Sequence, residues 1–332
     1  MTVRNMPFLA PAAFTMVMGT GALAMATLEM SQIFPPLYWF AQFLNILNYA
    51  LFFLLALWAA LSWPKNVPTL LENFEQPDNC ALYSALGIAL LVLGTQALRF
   101  GFGEIIAVCV WGPGALITLV FNYGILLRFF LHPGIEMSHI TPVLFVPVAS
   151  MVVLPVAGAP ISVMLDSGVI RNIVILVSIL ALGGGLALYV GLFSMMLQRH
   201  LLIRPLPDQL APTLWIHLAP IGWAAVALLA LAQNVFPEAY LGAVEVIAIL
   251  LFGAAIWWLI MAAIICIRAL TSHNLTFSMA WWSFIFPIGS VTILSNHLAF
   301  APANMLFPWL WALLAGLWTY CAVKTVVFLK RR

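Results

Sequence analysis

Charge is what this chain has least of. Only 7% of its 332 residues are Asp, Glu, Lys or Arg, against about 25% in a soluble domain, so no water-soluble fold could cover the 65% that are apolar. Cysteine is nearly as scarce. Cys80, Cys109, Cys266 and Cys321 are scattered without paired spacing, which suggests neither a disulfide framework nor a zinc site and leaves them as small apolar packing residues. No Gly-x-x-x-x-Gly-Lys-Ser/Thr run cradles a phosphate, which argues against ATP-driven pumping by this chain alone. His-Glu-x-x-His, Gly-x-Ser-x-Gly and paired acids on one facing helix are also missing, so no enzyme, metal site or cofactor is expected. The longest polar connection, about 63–79, is too short to fold alone and reads as a loop. No nucleic-acid partner is expected, and the net charge of +2 says little more.

What remains is apolar length. A membrane-crossing helix needs roughly 20 mainly apolar residues, and the chain divides into ten such runs, near 8–28, 37–62, 80–98, 104–131, 140–158, 169–197, 211–235, 239–268, 277–300 and 303–329. The fold class is therefore an all-α integral membrane protein, a single domain over residues 1–332 embedded in lipid. Ala22-Leu23-Ala24 resembles a cleavage site, but the first run exceeds the ~7–15 residues of a signal-peptide core, so it reads as a span. With the N-terminus inside, Arg4, Lys65, Arg128, Arg199, Arg204, Arg268, Lys324, Lys330, Arg331 and Arg332 fall on the cytoplasmic side, and only Arg99 and Arg171 fall outside. That asymmetry predicts a multi-pass protein of the cell membrane with both termini cytoplasmic.

Proline marks the interior of the spans. Phe286 stands directly before Pro287 in the run Trp281-Trp282-Ser283-Phe284-Ile285-Phe286-Pro287. Proline removes a backbone donor and clashes with the preceding turn, so a bend is expected there, and a large aromatic at a bend can plug a passage. Pro11, Pro147, Pro220 and Pro287 lie in spans one, five, seven and nine, at steps of 136, 73 and 67 residues. Read as a period of about 70 residues, the steps give five copies of a helical hairpin. Pro220-Ile221-Gly222 and Pro287-Ile288-Gly289 share a tripeptide, while span three has Gly87 and Gly94 in place of the proline. Five hairpins around an axis would form a quasi-fivefold assembly with the odd-numbered helices as the inner, pore-forming ring. The alternative is a set of ordinary membrane-helix kinks with no common axis.

Polar groups within spans are costly and so are functional candidates. They are few: Asn45, Asn48, Asn122, His217, Glu245, Asn296 and His297, with Glu29, Glu104 and Arg128 nearer the ends. His217 and His297 read either as interhelical contacts or as a proton relay, since histidine titrates near neutral pH. Asn45 and Asn48 share a helix face and suit helix joining, and Glu245, on an even-numbered span, suits a contact with neighbouring helices. No lysine or arginine lies at mid-membrane. Weak dipoles along a lumen favour a passing anion, which must be able to leave.

At the level of motifs, Pro11-Ala12-Ala13-Phe14-Thr15-Met16-Val17-Met18-Gly19-Thr20-Gly21-Ala22-Leu23-Ala24 resembles the opening helix of the tellurite-resistance/dicarboxylate transporter family. Thr141-Pro142-Val143-Leu144-Phe145-Val146-Pro147, Leu218-Ala219-Pro220-Ile221-Gly222 and the segment ending in Phe286-Pro287 match it in the same order. That family includes plant guard-cell slow anion channels, bacterial TehA-type channels, fungal malate permeases and sulfite pumps. The resemblance implies ten helices with a five-helix inner pore, a homotrimer with one pore per subunit, and Phe286 as the pore gate. Pore-shaping positions would be Pro11, Gly19, Gly21, Pro147, Pro220, Gly222, Pro287 and Gly289, and His297 and His217 the relay candidates. The leading expectation is an anion channel for chloride or nitrate. The competing readings are a proton- or potential-coupled transporter of malate, other C4-dicarboxylates or sulfite, and a tellurite-resistance membrane protein.

Overall fold

The computed structural model describes residues 8–131, 134–203, 206–272 and 277–330. Arg4, Arg204, Arg331 and Arg332, which bear on the expected orientation, lie outside the described residues. The α-helices are α1 (Thr15–Met30), α2 (Leu37–Ser62), α3 (Val67–Glu75), α4 (Pro77–Cys80), α5 (Ser84–Arg99) and α6 (Glu104–Leu131), then α7 (Phe145–Met164), α8 (Gly168–Leu202), α9 (Leu218–Asn234), α10 (Leu241–Thr271), α11 (Ile285–His297) and α12 (Ala301–Lys330). Among the described residues nine helical runs are long and apolar enough to cross a membrane. The tenth expected span is a 3-10 run, Met279–Phe284, continued by the short α11, and it is enclosed by α1, α9 and α12. The polar connection carries α3 and α4, with Arg128 donating to the Glu75 carbonyl.

Five helices close into a ring. α1 packs on α5, α5 on α7, α7 on α9, α9 on α11, and α11 returns to α1. The even-numbered spans lie outside: α2 on α1, α6 on α5 and α7, α8 on α7, α10 on α9, and α12 on α11 and α1. Burial separates the layers, since the inner windows of α1, α5, α7 and α9 are 72–94% buried and the outer ones 17–28%. The pattern has a simple cause in the sequence. Inner helices are small and apolar on every side, whereas α2 buries only a stripe at helical spacing, from Ala41, Leu44, Asn45 and Asn48 to Leu55 and Ala59. Its other face leaves Phe53 and Leu54 exposed, as a lipid-facing surface requires.

Polar side chains join the two layers. Asn48 Nδ2 donates to Gln96 Oε1 at 2.6 Å and Gln96 Nε2 to Asn45 Oδ1 at 2.9 Å, linking α2 to α5. Trp111 and Trp258 donate to the carbonyls of Leu154 and Leu214, and Trp311 and Trp318 to Thr27 and Thr20. Trp39 and Trp309 are exposed, while Trp111 and Trp215 are buried and donate to acceptors within the fold. Glu245 accepts from the backbone N–H of Ala299 at 2.5 Å, which ties α10 to the turn after α11.

The prolines differ from the sequence expectation in position. Each inner span opens with a 3-10 run, namely Pro11–Phe14, Ala81–Tyr83, Pro142–Leu144, Asp208–His217 and Met279–Phe284, before it becomes α-helix. The α portions begin at residues 15, 84, 145, 218 and 285, at intervals of 69, 61, 73 and 67. Pro147, Pro220 and Pro287 are each the third α-helical residue, in the first turn, where a missing N–H costs least. The expected mid-span bend is therefore a change of helix type near one end of the span. Pro11 instead opens its 3-10 run, as Pro142 does, so it is not the counterpart of Pro147. Ser150 and Ser290, three residues after their prolines, each donate to the proline carbonyl at 2.6 Å.

Candidate conduction pathway

Two cavities open within the ring, one at each end. The cavity at the N-terminal ends of the inner helices has a volume of about 360 Å³. All five inner spans line it, through Thr15 and Met18, Ile88, Val146 and Ala149, Ala219, and finally Phe286 with Pro287. Its walls are mostly apolar, and five parallel helix N-termini give that end partial positive charge. At the opposite end a cavity of about 270 Å³ is lined by Thr95 and Arg99 of α5, Val156 and Pro160 of α7, Val226 and Gln233 of α9, and His297 of α11.

The septum between them is two helical turns thick. Ile88 to Thr95, Ala149 to Val156 and Ala219 to Val226 each separate one cavity from the other by seven residues, or about 10 Å of helix. Phe286 is 2% exposed and stands at the septum side of the first cavity. Its ring stacks on that of Trp223 with centroids 5.2 Å apart and planes 25° apart. Trp223, on α9 between Ala219 and Val226, was not singled out by sequence reasoning. The available signal was its place three residues after Pro220, where the Pro147 and Pro287 copies carry Ser150 and Ser290.

Glycines draw the inner helices together around this septum. A Cβ on Gly289 would lie 2.5 Å from that of Ala22, and one on Gly222 would collide with Ser290, so α11 touches both α1 and α9. Gly19 likewise admits Ile285, and Gly21 admits Val92 beside the Asn48–Gln96 bridge. These four positions form seams between helices.

The second cavity carries the charge. Glu29, 5% exposed at the end of α1, accepts from Arg99 Nη1 at 2.6 Å and from Asn296 Nδ2 at 3.1 Å, and its Oε1 lies 2.8 Å from His297 Nε2. Arg99 Nη2 is 3.2 Å from the same imidazole nitrogen. The sequence named these four residues separately; the ring brings together the C-terminal ends of α1, α5 and α11 that hold them. His217 is placed elsewhere, fully buried among Phe145, Phe193 and Trp258, and neither ring nitrogen has a hydrogen-bond partner among the described residues. That surrounding suits a packing residue, because a relay needs partners for both nitrogens.

A closed ring of membrane helices with an aromatic septum between two opposed cavities defines a membrane transport protein. A sequence model described as voltage-dependent anion channel, of the SLAC1 type, matches residues 9–326, and the chain belongs to that family. An uncharacterized transporter of Methanocaldococcus jannaschii is 31% identical over 290 residues, covering 87% of this chain and 83% of the relative. A second uncharacterized transporter of the same organism is 30% identical over 287 residues, covering 86% and 83%. A sulfite efflux pump of Arthroderma otae is 23% identical over 317 residues, covering 87% and 81%. The family comprises channels and transporters, not enzymes.

Proposed function

We propose that this protein is a passive anion channel whose pore runs through the inner ring and is closed by Phe286. The observation that carries the reading is the position of that ring at the blind end of a cavity to which all five inner helices contribute. Small monovalent anions such as chloride and nitrate are the proposed cargo: among the described residues no basic residue sits at the septum to hold them, and helix N-termini attract them weakly. The cavity bearing Phe286 faces the cytoplasm, consistent with the basic residues Lys65, Arg128, Arg199, Arg268 and Lys330 near the same end, and the protein is a homotrimer of the cell membrane. Flux of chloride from proteoliposomes tests the gate. Phe286→Ala should raise it strongly over the unsubstituted protein, and equal flux in the two would remove Phe286 from the role.

One observation favours a second reading, a proton-coupled carrier of malate, other C4-dicarboxylates or sulfite. His297 lines the second cavity and contacts a buried carboxylate and a guanidinium, an arrangement in which a proton can change partners. His297→Ala would then abolish the pH dependence of uptake; under the channel reading it leaves a pH-independent leak through Phe286→Ala unchanged.

A further inference from the structure

Tryptophan indole N–H groups in this protein are satisfied almost wherever they are buried. Trp111, Trp215, Trp258 and Trp282 donate respectively to the Leu154 carbonyl, the Cys266 sulfur, the Leu214 carbonyl and the Thr325 hydroxyl. Trp223 is the exception: it is 1% exposed and its Nε1 has no hydrogen-bond partner among the described residues. A buried donor without an acceptor is a net loss of stability, and such groups in a native protein call for an explanation. Its place supplies one. Trp223 lies four residues after Ala219 of the first cavity and three before Val226 of the second, on the helix face that lines both, and its ring packs against Phe286.

Accepting the reading of Phe286 as the gate, on which this step rests, we infer that Trp223 is the specificity-determining residue of the pore. When Phe286 turns away from the stack, the indole face it covered is released and the ring is free to turn, which brings its N–H edge into the vacated space. A small anion entering it sheds water and accepts that hydrogen bond, whereas a cation finds a donor pointing the wrong way. The donor is neutral, so it holds an anion weakly enough to release it. This accounts for anion preference in a septum without lysine or arginine. It also explains why a bulky ring stands where the sister repeats carry Ser150 and Ser290, whose hydroxyls are used up on their own proline carbonyls.

The test compares Phe286→Ala with the double variant Phe286→Ala/Trp223→Phe in planar bilayers, under a sodium chloride gradient, reading the reversal potential. Phenylalanine keeps an aromatic ring and removes only the donor. The chloride-over-sodium permeability ratio should fall roughly tenfold, the weight of about one hydrogen bond to an ion, and Trp223→Tyr, which restores a donor, should recover part of it. Trp223→Leu in the same background carries the same expectation if the phenylalanine variant does not fold. An unchanged ratio in a conducting double variant overturns the donor role and leaves the gate intact. Absence of current in Phe286→Ala overturns the gate, and the donor role with it.

Discussion

Neutralising Glu29 should make the pore conduct chloride better, and neutralising Arg99 should make it conduct worse. The two side chains form an ion pair with Nη1 2.6 Å from Oε1, the arginine side chain 29% exposed and the glutamate 6%. As a pair they present almost no net charge to the second cavity. Glu29→Gln keeps an acceptor for Arg99 but unmasks its charge, and a chloride about 8 Å away gains roughly 0.5 kcal/mol if water fills the gap, more at lower effective dielectric. Local anion concentration then rises about twofold or more at low salt, and at 1 M, where screening acts within about 3 Å, the gain disappears. Arg99→Gln reverses the sign and leaves a buried carboxylate with only His297 and Asn296, which offset part of the about 3–5 kcal/mol that an uncompensated buried charge costs. Single-channel chloride conductance is measured in the Phe286→Ala background from 20 mM to 1 M salt. Equal conductance of the two charge variants at low salt, or a difference that persists at 1 M, would refute the electrostatic argument.

Other substitutions probe the ring itself. Gly289→Val places two methyl groups where a Cβ alone would already meet Ala22 at 2.5 Å, and overpacking of this kind should destabilise by about 1–3 kcal/mol. Gly183→Ala, on the outer helix α8 with nothing within 4 Å, should be neutral or stabilising by roughly 0.5–1 kcal/mol; thermal melts in detergent compare the two, and equal effects would contradict the seams. His217→Leu removes two unpaired nitrogens from an aromatic enclosure, so melting temperature and transport should stay close to those of the parent. Loss of pH-dependent transport in that variant would restore the histidine to a relay.

Much of this architecture was legible from composition and spacing. Ten apolar runs and the concentration of proline in odd-numbered ones both express physical demands of a bilayer, and each acts locally along the chain. The 3-10 openings were less visible: Asp208–His217 and Met279–Phe284 are apolar stretches whose hydrogen-bond pattern is set by neighbours packed around them. That is why Pro11 was aligned with Pro147 when its structural counterpart is Pro142. Glu29, Arg99 and His297 are separated by 70 and 198 residues, so nothing local announces their meeting. Trp223 looked like one more membrane tryptophan, and only comparison of the residues after three prolines would have marked it as the odd one.

Chloride current through purified protein in a planar bilayer, unsubstituted beside Phe286→Ala, addresses the gate most directly. The account predicts a current that is small in the unsubstituted protein and large in the variant, with a melting temperature lowered by no more than a few degrees, since the ring already borders an open cavity and its stack with Trp223 adds only about 0.5–1.5 kcal/mol beyond area burial. A variant that remains silent while losing the stability of a core residue, about 3–5 kcal/mol, would show Phe286 to be packing and contradict the central claim.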